Sequence, residues 1–173
     1  MSNYKDNNAA NALRSYVWKL LEANLGWTKD DYKGLVPIFP LSQEPEPKEI
    51  GKAFLVYNSS QRPAEHLYVQ KCETIGYSIY ANTVADLNTI TTLLQDTFDR
   101  QDDAAADVNQ WLDTEQQATG ISRGISFGSI KTILVDRSDP ADNEGGYVSS
   151  LVMVEAKYVT QNNTITTADF TYP

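Results

Sequence analysis

The stretch CETIGYSIYANTVADLNTITTLLQDTF, residues 72–98, contains the change of period on which the fold turns. Over Cys72–Ala81, Ile75, Tyr77, Ile79 and Ala81 alternate with Thr74, Gly76, Ser78 and Tyr80. A period of two is that of a strand buried on one face. Thr83 then has the character of an N-cap, with Asp86 three residues on completing an imperfect capping box. Beyond it Val84, Leu87, Ile90, Thr91, Leu94 and Phe98 fall on one helical stripe. The period of two has become one near 3.6, so a helix packs on the sheet that the strand belongs to.

Upstream, Ala53–Tyr57 (AFLVY) reads as a short apolar strand closed by the turn cluster Asn-Ser-Ser-Gln-Arg-Pro. Residues 27–51 are irregular and marked by proline. Val36-Pro37-Ile38-Phe39-Pro40 is extended, because each proline excludes the helical region for the residue before it. Glu44-Pro45-Glu46-Pro47 is charged and stiff and cannot sit inside a sheet, so residues 40–48 form an exposed arm. Before them, Leu13, Val17, Leu20 and Leu21 share one face of a helix over Asn8–Leu25, extended by Trp18 and Leu25 and stopped by Gly26.

Downstream, the chain turns acidic from Gln95 to Gln117, and Ala104–Ala106 with Trp111-Leu112 suggest a short second helix ending at Gly120. Ile125–Asp136 and Tyr147–Thr160 read as two long strands of a hairpin, joined by the Asp-, Pro-, Asn- and Gly-rich segment 137–146. In the first strand Ile133 and Val135 should oppose Ile130, Thr132 and Leu134; in the second Val148, Val152, Val154, Ala156 and Tyr158 form the apolar face. The tail 161–173 holds one weak alternation, Ile165–Tyr172. The expected fold is a single layered α+β domain over 1–173, in the order α-β-β-α-β-β. About four strands form an antiparallel or mixed sheet with helices on one face, and residues 96–117 are an acidic helical insertion.

With 173 residues, 41% of them hydrophobic and 21% charged, the composition is globular. No apolar run approaches the roughly 20 residues of a membrane span. The first residues lack the apolar stretch of a secretory signal, so the chain is expected to stay where it is made, and the acceptor patterns at Asn58 and Asn162 are read as chance. Cys72 is the only cysteine and His66 the only histidine, which excludes an intramolecular disulfide and a Cys/His zinc site. A net charge of −9 argues against nucleic acid as a partner, since phosphates are held by clustered Lys and Arg.

Gly124-Ile125-Ser126-Phe127-Gly128 matches the G-x-S-x-G of a nucleophile elbow. That elbow needs a strand before the serine, a helix after it and a histidine downstream. Here a strand-like run follows and His66 lies upstream, so the glycines are read as easing the start of a strand. His66 lies in a polar stretch and is read as a surface residue, and Cys72 as a small packing residue. Asp136, Ser138, Asp139, Asp142, Asn143 and Glu144 lack calcium-loop spacing, and Pro140 falls where a ligand should be, so they are read as a hairpin tip. The sequence therefore assigns no catalytic, cofactor-binding or metal-binding residue, and no enzyme activity is expected. Trp111 and Leu112 among carboxylates suggest instead a surface that meets another protein.

The order of these elements, from the Ala10–Leu25 helix through AFLVY and TIGYSIYA to the hairpin ISFGSIKTILVD/GYVSSLVMVEAKYVT, resembles the tail terminator or tail-completion (neck) proteins of tailed bacteriophages. The likeness covers roughly residues 8–160 and is one of order and length. It implies a structural virion protein without cofactor that forms a homo-hexameric ring at the head-proximal end of the tail. Its partners would be itself, the tail tube, the sheath if there is one, and neck or connector proteins, with no membrane and no sequence-specific nucleic acid. A head–tail adaptor or a small accessory subunit are the other readings. Under the resemblance, ring contacts are expected from strand 53–57 (Phe54, Val56) and from the 125–160 hairpin (Lys131, Lys157), whose strand edges could pair between subunits. The acidic segment (Asp99, Asp102, Asp103, Asp107, Trp111) would face a neighbour or the lumen.

Overall fold

A computed structural model describes residues 8–62, 70–100, 102–120, 124–137 and 146–160. The readings of His66, of residues 138–145 and of Ile165–Tyr172 fall outside these. Helix α1 (Ala9–Leu25) begins where the Asn8 side chain accepts the amide of Asn11 and ends at Gly26 with φ 68°. A left-handed residue there costs glycine nothing and closes the helix. Strand β1 (Ile38–Pro40) and the one-turn helix α2 (Pro47–Ile50) follow, then β2 (Phe54–Arg62), β3 (Gln70–Ala81), α3 (Val84–Phe98), α4 (Asp102–Thr119), β4 (Ile125–Asp136) and β5 (Val148–Thr160). One five-stranded sheet has the order β1-β2-β3-β5-β4. β1 runs parallel to β2 and every other pair is antiparallel. The architecture is α+β, as the alternation and the stripe require.

Three expectations are corrected. The sheet has five strands rather than about four, because Ile38–Pro40 pairs with Leu55–Tyr57. β2 continues to Arg62 through the presumed turn cluster, with Asn58–Arg62 paired to Cys72–Gly76. The acidic segment is a full helix of 18 residues, α4, rather than a short one. Its apolar residues Ala104, Ala105, Val108 and Leu112 are buried at helical spacing.

The main core lies between the helices and one face of the sheet. Ile75, Tyr77 and Ile79 of β3 and Val152, Val154, Ala156 and Tyr158 of β5 meet Leu13, Val17 and Leu21 of α1 and Leu87, Ile90, Leu94 and Phe98 of α3. Each fully buried Leu, Ile or Phe contributes about 2 kcal/mol by leaving water. The sequence reading of β4 fails after Thr132. Register shifts at 127/129 and 132/134 place Ile130, Thr132 and Val135 together on the helix side, opposite Ala156, Val154 and Val152, and turn Leu134 to the other face opposite Met153. A bulge inserts one residue and so reverses the alternation beyond it.

The tyrosines make the fold sensitive to alkali. The Tyr77 hydroxyl is fully buried and has no hydrogen-bond partner among the described residues. Desolvation pushes the ionisation of Tyr77, Tyr158, Tyr32, Tyr16 and Tyr80 above the ordinary tyrosine value of about 10. The neighbouring Glu73 carboxylate adds to the shift for Tyr158 and Tyr77, and Glu44 adds to it for Tyr80. A phenol whose folded value lies above its unfolded value stabilises the fold fully below the unfolded value and loses that contribution as pH rises further. Stability should therefore fall once pH passes about 10. The rise in phenolate absorbance should then coincide with loss of the helical circular-dichroism signal. Ionisation of all the tyrosines with the helical signal intact would contradict this.

Candidate functional site

The second face of the sheet is divided in two. Over β1, β2 and the start of β5 it is covered. The segment 38–50 folds back so that Phe39 and Ile50 pack with Tyr80 over buried Phe54, Val56 and Tyr147. Phe54 stacks on Tyr80 at 5.0 Å between ring centroids and meets Tyr147 and Phe39 edge-on. The Tyr80 hydroxyl donates to Glu44 at 3.2 Å, which ties the proline arm to the sheet. Pro47 occupies the first turn of α2, where a missing N–H costs nothing.

Over the rest of β3, β5 and β4, no described helix covers this face. Gly76 lies at its centre, flanked by Leu151 and Met153. Around it a shallow depression of about 280 Å3 is lined by Asn58, Ser60, Thr74 and Ser78 as well. Leu134, opposite Met153 near the end of β4, stands 46% exposed beside it, and Val159, beyond Glu155 and Lys157 at the far end of β5, stands 40% exposed. The charged residues here are Arg62, Lys131, Lys157, Glu155 and, at the end of β4, Asp136. Glu155 is held between Arg62 at 2.7 Å and Lys131 at 3.7 Å and is only 13% exposed.

β4 forms the outer edge of the sheet, yet it is a poor template for another strand. The Asn109 amide of α4 accepts the Phe127 N–H at 2.8 Å and donates to the Phe127 carbonyl at 2.9 Å, filling the place of a neighbouring strand. Two register shifts and an exposed Lys131 blunt the remainder. Pairing of this edge between subunits, expected from the strand's length, therefore lacks a regular ladder to extend. At the opposite edge β1 is three residues long and ends in Pro40.

A buried carboxylate fixes the helical layer to the sheet. Glu73 of β3 is fully buried; its oxygens accept the amides of Ala9 and Ala10 at the start of α1, the Gln61 amide and the Tyr158 hydroxyl, at 2.8–3.3 Å. With Asn8 taking the next amide, the first-turn donors of α1 are satisfied, and the helix dipole favours the negative charge. Sequence reasoning missed this residue, since a glutamate one position from a cysteine in a polar strand start gives no sign of burial.

Two clefts open on the helical side. One of about 420 Å3 is lined by Trp27, Asp31, Tyr32, Lys52, Asn82 and Asp86, among others. Within it Lys52 reaches Asp31 at 3.6 Å and Tyr32 donates to the Ala53 carbonyl at 2.7 Å. The other, about 550 Å3, lies between α1 and α4 beside Arg14, Trp18, Lys19 and Trp111. Among the described residues no cluster of three His, Cys, Asp or Glu could hold a metal ion, and no helix is long and apolar enough to cross a membrane.

The residues expected at an interface are scattered by the fold. Phe54 and Val56 are buried within the chain, beneath the arm, and offer no surface to a partner, which corrects their assignment as contacts. Lys131 and Lys157 stand exposed on the half-open sheet face. Asp99 and Asp103 are exposed where α3 passes into α4, Asp102 opens α4, and Asp107 pairs with Arg100 at 2.6 Å. Trp111 is half-buried, edge-on to Tyr16 at 5.8 Å and beneath Lys19. Ser126 sits within β4 opposite Val159, so Gly124–Gly128 begins a strand and makes no strand-turn-helix elbow. Compared with known proteins, the chain matches no family model and no curated protein.

Proposed function

We propose that this chain is a structural virion subunit that forms a homo-oligomeric ring, with a hexamer the expected size, at the head-proximal end of a phage tail. There it ends growth of the tube, and of the sheath if there is one, and joins the tail to the neck proteins. The observation that carries the reading is the half-open sheet face. An antiparallel sheet with one solvated side normally alternates apolar-in with polar-out. Here Leu134, Leu151 and Met153 lie together on the solvated side, and contiguous apolar surface on a folded chain marks a place where another chain packs. The order of helix, hairpin, helices and hairpin supports the likeness to tail terminators.

A direct test polymerises tail-tube subunits of the same virion with and without the chain. Tubes should stop lengthening and carry one extra ring at one end by electron microscopy. Tubes that lengthen equally in both cases would favour a head–tail adaptor instead. The Trp27–Tyr32 cleft favours a different reading, a small accessory subunit that binds a ligand, which requires a monomer or dimer and loss of ligand binding on Trp27→Ala.

A further inference from the structure

The half-open sheet face and the helical layer on the other side of the molecule differ in charge. Residues 84–119, which build α3, α4 and their junction, contain eight Asp or Glu and a single basic residue, Arg100, itself paired to Asp107. The exposed sheet face has the opposite balance. Arg62, Lys131 and Lys157 lie there, Glu155 is neutralised between the first two, and Asp136 stands at the far end of β4. In a chain of net charge −9, this face has three basic residues to two acidic, with Arg62, Lys131 and Lys157 grouped on one side of the apolar patch and Asp136 on the other.

We propose that the occupant of the sheet face is the acidic helical layer of a second copy of this chain. Leu134, Leu151 and Met153 would meet the neighbour's helices, and Arg62, Lys131 and Lys157 would meet exposed carboxylates such as Asp96, Asp99 and Asp103. The inference rests on the ring reading and supplies its contact. Two different surfaces of one chain make a head-to-tail contact, which closes into a ring when the rotation allows. Sheet-to-sheet pairing about a two-fold axis would instead set the basic excess of one face against that of the other and leave the carboxylates of α3 and α4 without a counterpart. Strand-edge pairing is opposed by Asn109 and the bulges of β4.

Charge reversal distinguishes these arrangements. A Lys131→Glu/Lys157→Glu variant sets an acidic sheet face against the acidic helices, and an Asp99→Lys/Asp103→Lys variant sets a basic α3–α4 junction against the unchanged Lys131 and Lys157; all four side chains are exposed. Self-association of each variant alone should weaken roughly a hundredfold, because like charges set face to face are strongly disfavoured. An equimolar mixture should reassemble, since each variant complements the other in alternation, and the size distribution by light scattering reads all three cases. Thermal unfolding of each variant confirms that it is folded. If wild type assembles and Asp99→Lys/Asp103→Lys assembles equally well, this contact is overturned while the ring reading stands. If wild type remains monomeric at every concentration and salt, both fail together.

Discussion

Glu73→Ala should destabilise the chain by about 3–4 kcal/mol. Hydrogen bonds to a charged group contribute about 1.5–3 kcal/mol each, and donors left buried without an acceptor cost more than the bonds alone. Four donors lose Glu73 here, the amides of Ala9 and Ala10, the Tyr158 hydroxyl and the Gln61 side chain, though Gln61 keeps a second acceptor in the Tyr158 oxygen. Removing a buried charge offsets part of the loss, which holds the net effect below the sum of the four. In a domain of this size the change corresponds to a fall in Tm of roughly 10 °C. Glu73→Gln keeps one acceptor oxygen and should lie between the two. Denaturant titration followed by tryptophan emission, with Trp18 on the helix that Glu73 anchors, gives the measurement. A loss below about 1 kcal/mol would mean that this carboxylate does not fix α1 to the sheet.

Phe54→Ala acts on the opposite side of the sheet and should cost about 3–5 kcal/mol, the range for removing a fully buried aromatic ring. The ring is the centre of a small second core, stacked on Tyr80 and flanked by Tyr147 and Phe39. Without it the arm at 41–50 keeps the Tyr80–Glu44 hydrogen bond and the packing of Ile50 on what remains of the cluster, but loses the ring at its centre. Limited proteolysis should therefore cut within 41–50 in the variant well before wild type, while the helical signal persists. Equal cleavage rates would show that the arm is held by something other than this cluster.

What the sequence made legible were the elements with a long, undisturbed period. The alternation through Ile75, Tyr77 and Ile79 and the stripe Leu87, Ile90, Leu94 and Phe98 are both realised, and Thr83 caps α3 by accepting the Asp86 amide at 3.1 Å. Elsewhere, tertiary context overrode local signals. Asn58–Arg62 looks like a turn by composition, but pairing with β3, and the bonds of Gln61 and Arg62 to Glu73 and Glu155, hold it extended. Ile38–Pro40 is too short and too proline-bound to announce itself as a strand. Two bulges broke the alternation in β4, so Leu134 was assigned to the wrong company. Phe54 and Val56 were expected at a ring contact only through the resemblance; what covers them is a loop whose fold-back no periodic signal encodes. Of the candidate surface, Lys131 and Lys157 were named only as ring contacts under the resemblance, and the structure adds that both are exposed on one face of the sheet. The proposed pairing of that face with the acidic helices rests on a three-dimensional division of charge.

The central claim, that this chain is built to cover its own half-open sheet face by assembling with copies of itself, is tested most directly by its mass in solution. Light scattering across a wide concentration range should show a discrete species near six times the 19.3 kDa chain, weakened by salt and lost on charge reversal at Lys131 and Lys157. A single species of 19.3 kDa throughout that range would contradict it.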